Sequence, residues 1–191
     1  MKLKIDTLIF LVFLCYLFSC NDNLTRDDAA KLIIEKYRLP SIKIGYTGVK
    51  GDYYEGFGNK KLEKAKELGL LTYEIKKWGW FGQNATYEAN FTDLGNKFLV
   101  GEVYKTGNDW QGNLEYRIKV KEAIISLKEI TGIVQDKKLK QAQVEFTLSI
   151  SELTPFGIAN FIEEGSYPQK CYFTKYDDGW RIDENCEINL K

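Results

Sequence analysis

The chain has 191 residues, with 27 lysines and arginines against 27 aspartates and glutamates, and no histidine. Balanced charge excludes the long-range field that draws a protein toward nucleic acid or acidic lipid. Without histidine, Ser-His-Asp and Cys-His nucleophile schemes and histidine-based zinc sites are excluded too, which leaves carboxylates, lysine, tyrosine or a bare hydroxyl for any catalysis.

At the N-terminus Lys2 and Lys4 make a positive start, interrupted by Asp6, and Leu8 to Phe18 is an unbroken apolar run, LIFLVFLCYLF. Runs of about 7–15 residues are signal-peptide cores, whereas a membrane-spanning helix needs about 20. The polar stretch NDNLTRDDAAK follows, so the run cannot be extended. It closes on Leu17-Phe18-Ser19-Cys20, with a small residue directly before the cysteine. This segment resembles a bacterial lipoprotein signal, Phe18 being bulkier than the family usually has there. The resemblance implies diacylglycerol on the Cys20 sulfur, cleavage before Cys20, and acylation of the new amine by a chain such as palmitate. It implies a lipid-anchored protein of the bacterial cell envelope, on the periplasmic or surface face of the outer membrane. A plain secretory signal with a chance cysteine is the alternative. Two or more acyl chains, at about 0.8 kcal/mol per buried methylene, anchor stably where one does not.

On this reading residues 1–19 are the signal peptide and 20–24 a short lipid tether. Thr25 and Asp28 predict a helix N-cap with its acidic N3 partner, and Pro40 ends that helix. A tether of four residues spans at most about 14 Å, so the domain is expected to rest against the bilayer.

Residues 41–58, which include IGYTGVKGDYYEGFG, read as an ordered loop with at most a short strand. Its Tyr46, Tyr53, Tyr54 and Phe57 either pack over their own core, as Ω-loops do, or line a pocket for a small ligand or glycan. Asn59 is placed to cap a helix from Lys60 to Leu68, stopped by Gly69. Strand-like runs Leu70–Trp80 and Ala85–Thr92 flank the turn Phe81-Gly82-Gln83-Asn84, and Thr92 to Leu99 reads as a short helix.

The order helix, LGLL, two-stranded wing, YEANFTDLGNKFL resembles the second half of a winged helix-turn-helix domain, over Asn59 to Leu99. Loop 41–58 occupies the place of that family's middle helix. Glu63 and Glu67 interrupt the cations Lys60, Lys61, Lys64 and Lys66, and an exported chain is kept from the chromosome. A winged-helix part is therefore expected to serve as a scaffold, with no nucleic-acid partner.

Lys76-Lys77-Trp78-Gly79-Trp80-Phe81 lies toward the wing tip, with Trp78 and Trp80 on one strand face. Three readings of Trp78, Trp80 and Phe81 stay open: cover for the domain's own core, contact with lipid headgroups, and a stacking platform for sugar.

In the second half, Ala142, Val144, Phe146, Leu148 and Ile150 alternate with polar residues, which predicts a half-buried antiparallel strand over Gln141–Ser151. Tyr116 to Val134 is also strand-like, but its apolar phase slips between Val120 and Ala123, which predicts bulges and a bent sheet. Thr154-Pro155 starts a short helix through Phe161-Ile162. Cys171 and Cys186 belong to an exported protein, where disulfides persist. A type I′ turn centred on Asp178-Gly179 pairs Tyr176 with Arg181 and sets the two cysteines opposite each other, while a three-residue loop leaves them on a diagonal within reach. The ending KYDDGWRI resembles the last strands of nuclear transport factor 2-like envelope lipoprotein domains.

The acidic pairs Glu163-Glu164, Asp177-Asp178 and Asp183-Glu184 are sequence neighbours. A glycosidase needs two carboxyls held about 5–9 Å apart across a cleft, which such neighbours do not supply.

The expected fold class is α+β: a small winged-helix-like part over 25–105, followed over 106–191 by a bent antiparallel β-sheet with a short helix and a disulfide-closed hairpin. No catalytic, cofactor or metal site is expected. The expected function is binding or assembly at the envelope, with a protein or glycan as partner. The alternative is a carboxylate-based hydrolase or binder acting on a saccharide or peptidoglycan.

Overall fold

The computed structural model describes residues 23–53, 59–78, 84–108 and 114–190, with the side chains of Trp78, Asn84 and Asn108 outside the description. Helix α1 (Arg26–Tyr37) starts at Thr25, whose hydroxyl accepts from the Asp28 N–H at 3.1 Å while the Asp28 carboxylate accepts from the Thr25 N–H at 3.4 Å. That reciprocal pair is the predicted capping box. The helix stops at Arg38, in the left-handed conformation, just before Pro40.

Strand β1 (Ser41–Asp52) follows at once. The expected loop is thus a full strand, and its pattern is inverted. Ile42, Ile44 and Tyr46 are exposed, while Gly45 and Thr47 are buried. Space favours glycine at two positions here. A Cβ on Gly45 would overlap the Glu122 carboxylate, and one on Gly48 would overlap the Tyr87 hydroxyl.

Helix α2 (Lys60–Glu67), strands β2 (Leu71–Trp78) and β3 (Asn84–Phe91), and the single-turn helix α3 (Asp93–Asn96) form as the pattern predicts. Strand β4 (Leu99–Asn108), which periodicity did not reveal, leads to β5 (Leu114–Asp136), β6 (Gln141–Ser151), the short helix α4 (Pro155–Ala159), β7 (Gly165–Tyr176) and β8 (Gly179–Ile182).

The eight strands form one antiparallel sheet in the order β2-β3-β1-β5-β6-β7-β8, with β4 also paired to β5. This overturns the expected winged-helix-like part. In that family a middle helix packs beneath the wing; here β1 takes its place and joins the wing strand β3 to the spine β5. The chain is mostly antiparallel sheet with four helices among the described residues, rather than the expected α+β fold of a small winged-helix-like part followed by a bent antiparallel sheet.

β5 carries the architecture. Its first half pairs with β1 and β4, and its second half with β6. The predicted phase slip is present as a shift of register in which Lys43 faces Ala123 but Ile44 faces Lys121, leaving Glu122 as the extra residue of a bulge. Two hydrophobic cores share the inner face of the sheet. In one, Ala29 and Ile33 of α1 pack on Ile130, Val144, Phe146, Leu148 and Phe173; in the other, Leu62 and Ala65 of α2 pack with Leu71, Ala89, Val120 and Phe156.

The C-terminal hairpin differs by one step from the expected register. Tyr176 faces Gly179 and Lys175 faces Trp180, so Asp177-Asp178 is the turn and Gly179, at φ 134°, opens the return strand. β8 then ends at Ile182, and the chain curls so that Cys186 reaches Cys171.

Candidate functional site

Cys171 and Cys186 form the predicted disulfide, with Cα atoms 5.4 Å apart and a sequence separation of 15. Cys171 is buried beneath α1. Tyr37 of α1 donates its hydroxyl to the Cys186 carbonyl at 2.8 Å, and burial raises the Tyr37 hydroxyl above its ordinary value. The bridge therefore ties the segment after β8 to β7, and Tyr37 ties it to α1. Replacing both cysteines by alanine is expected to cost about 3 kcal/mol, the loop-closure value for this span. Equilibrium denaturation measures it, and a loss under about 1 kcal/mol would refute a structural role.

Cys20, Trp80 and Phe81 lie outside the described residues, as do Tyr54 and Phe57, and of Trp78 only the backbone is described. Trp78 ends β2 and faces Asn84. Its end of the hairpin adjoins the end of β1, because the Tyr53 N–H donates to the Ala85 carbonyl at 2.8 Å and Asp52 faces Thr86. The other end of the molecule is defined by Leu24, which is buried. Its N–H donates to the Gln135 side-chain oxygen at 2.9 Å, and its carbonyl accepts from the Gln135 amide at 2.8 Å. Gln135 is the penultimate residue of β5, whereas Lys50 of β1 faces Tyr116 near its start. Nearly the whole contour of β5, roughly 60 Å of strand, separates the two ends.

Among the described residues the helices pack on the inner face. The outer face near the wing carries Ile42 (47% exposed), Ile44 and Tyr46 (48%) in a row on β1, and Tyr104 across β5 on β4. The Tyr46 and Tyr104 rings meet edge to face at 6.0 Å. Between them β5 presents Arg117, Lys119 and Lys121, facing Gly48, Tyr46 and Ile44 of β1. The Tyr104 hydroxyl is raised above the usual tyrosine value by desolvation first and by Tyr46 second, with Arg117 opposing. Aliphatic, aromatic and cationic groups thus share one open surface, the composition of a contact patch. Periodicity missed it because β1 reads as a loop and its apolar residues face outward.

Along the wing, Tyr53 and Tyr73 have ring centroids 5.9 Å apart. The Tyr53 hydroxyl is pushed up to about 12, chiefly by its hydrogen bond with Tyr73, then by desolvation and the charge of Glu63. A raised folded value favours the protonated form. Its contribution to stability is complete below the ordinary tyrosine value of 10.0 and is lost as pH rises through about 12. Spectrophotometric titration should show one tyrosine ionising near pH 12 that Tyr53→Phe removes and Tyr73→Phe returns toward 10. All tyrosines titrating together in both variants and the parent would exclude the coupling.

Among the described residues one carboxylate is buried. Glu122 sits at the β5 bulge with its side chain 5% exposed, 2.8 Å from the Lys43 ammonium, and it accepts from the Asn160 amide at 2.7 Å. Asn160 is the C-cap of α4 and reaches the Tyr46 carbonyl at 3.4 Å. The Glu122 carbonyl also accepts from the Thr154 N–H at 2.8 Å, just before α4. The pair lies between the two cores and fixes α4 to the bend of the sheet. This arrangement satisfies the carboxylate with an ion pair and a hydrogen bond. In the C-terminal hairpin Asp178 pairs with Arg181 at the turn, and Asp183 accepts from the Thr174 hydroxyl at 2.9 Å.

Among the described residues no group of three or more acidic or cysteine side chains could hold a metal ion, and no helix is long and apolar enough to cross a membrane. Comparison with known protein families, with curated proteins and with solved structures finds no match for this chain.

Proposed function

We propose that the chain is a lipid-anchored envelope module that binds a protein or glycan through the outer face of β1, β5 and β4. The uncovered row Ile42, Ile44, Tyr46 with Tyr104, interleaved with Arg117, Lys119 and Lys121, carries this reading. Exposed aromatics beside cations suit an acidic or carbohydrate-bearing partner, since rings give contact area and cations give orientation. The anchoring part rests on the sequence around Cys20 and is supported by Leu24, held to Gln135 only four residues later. With the anchor at the Gln135 end, the aromatic face and the β2–β3 wing belong to the far end, toward the envelope space.

Two measurements test the proposal. Mass spectrometry of the mature N-terminus should find acylated Cys20; an unmodified amine, or cleavage elsewhere, refutes the anchor. A pull-down from native membranes with the lipidated protein should retain a partner that a Tyr46→Ala/Tyr104→Ala variant loses at least about tenfold. Equal retention by that variant refutes the binding face.

A further inference from the structure

The end of the molecule that holds Leu24 has a chemistry of its own. The β5–β6 turn presents Lys137, Lys138, Leu139 and Lys140. Leu139 is 66% exposed and Val134, just before the turn, is 68% exposed. Asp136, the nearest carboxylate, is absorbed by the turn: it accepts from the N–H groups of Lys138 at 2.8 Å and Leu139 at 3.1 Å. Among the described residues the three turn lysines make no side-chain ion pair. The β7–β8 turn lies alongside, joined by the Lys175 N–H to the Lys140 carbonyl at 2.8 Å. A cleft of about 450 Å³ between the two turns is lined by Gln135, Lys137, Lys140, Lys175 and Tyr176, with Asp136 and Asp177 as opposing charges.

We infer that this tip is a membrane-docking face, in which Leu139 and Val134 enter the interface of the bilayer and the lysines engage the phosphates of anionic lipids. The inference rests on the anchoring of Cys20. Two facts select a bilayer over any other occupant. The chain from Cys20 to Leu24 spans at most about 14 Å, and Leu24 is clamped to Gln135 beside the turn, so an acyl chain on Cys20 would bring lipid to this tip first. The pairing of exposed aliphatics with lysines is also the composition that suits the interfacial zone. The neutral chain has no long-range attraction to acidic lipid; the anchor would supply proximity, and the lysines a local contact within a Debye length.

The test uses the full lipidated protein in vesicles of phosphatidylcholine alone, or of equal parts phosphatidylcholine and phosphatidylglycerol. An environment-sensitive fluorophore is placed at Leu139→Cys, and in a second preparation at Ile75→Cys near the wing. Docking predicts a blue-shifted signal at 139 that brominated lipid quenches, stronger with phosphatidylglycerol, and a water-like signal at 75. Lys137→Glu/Lys138→Glu should lower the docked-to-undocked ratio at least about 25-fold, from about fivefold per lysine. The milder Lys137→Gln/Lys138→Gln should give a smaller loss in the same direction. Lys140 is left unchanged because its φ is 52°. Flotation with the vesicles is read in parallel. Protein that does not float overturns the anchoring reading, and docking with it. Protein that floats with a water-like signal at 139 in both compositions overturns docking while the anchor stands.

Discussion

Replacing Lys43 with methionine is expected to destabilise the protein by about 3–5 kcal/mol in chemical denaturation. The variant leaves the Glu122 carboxylate, 5% exposed, with only the Asn160 amide as partner. The two members of the pair are not equivalent. Lys43 is 23% exposed, so its ammonium can turn to water when its partner is lost, whereas Glu122 has no such path. Glu122→Gln should therefore cost less than Lys43→Met, because glutamine keeps the bond from Asn160. Adding Glu122→Gln to Lys43→Met should recover much of the loss, a coupling that a double-mutant cycle isolates. If Lys43→Met changed stability by less than about 1 kcal/mol, the ion pair would not be what satisfies Glu122.

Phe156→Ala is expected to cost about 3–5 kcal/mol and to lower Tm by roughly 10 °C. Phe156 is fully buried in α4 and meets the edges of Phe91 and Phe98 at centroid distances of 6.3 and 6.5 Å. It comes from the second half of the chain but fills the core of the first. The loss should be uneven: amide exchange should accelerate in β2 and β3 more than in β6 and β7, whose core lies under α1. A uniform acceleration, or a loss below about 1.5 kcal/mol, would contradict this division of the core.

What could be read from the sequence was local. The Thr25–Asp28 box, the Thr154-Pro155 helix start and the strict alternation of Gln141–Ser151 each follow from neighbours in the chain, and each forms. The slip between Val120 and Ala123 was legible as a bulge, though not that it houses a buried Glu122. The failures share a cause. β1 carries glycine where a side chain from β5 or β3 takes the space, and that space is defined by residues far along the chain. A strand whose apolar residues face outward inverts the pattern on which strand assignment depends. The winged-helix resemblance failed although helix 60–67 and strands β2 and β3 form, because β1 replaces the expected loop and its pairing with β5 joins residues roughly 66 to 84 positions apart, which no local motif encodes. In the hairpin, the Asp-Gly signal was outweighed by a turn one residue earlier, with Gly179 still supplying the positive φ. The outer-face patch was invisible for the same reason as β1. The disulfide was found because a diagonal or curled approach suffices to close it.

The continuity of β5 has a mechanical consequence. Ladder hydrogen bonds run across a strand, so a pull along β5 loads its pairings with β1, β4 and β6 in shear, many bonds at once. A pull across the sheet at β2 or β8 would instead peel one pair at a time. The molecule is thus stiff along one axis, from the Leu24 clamp to the wing, and comparatively easy to unzip at its two edges.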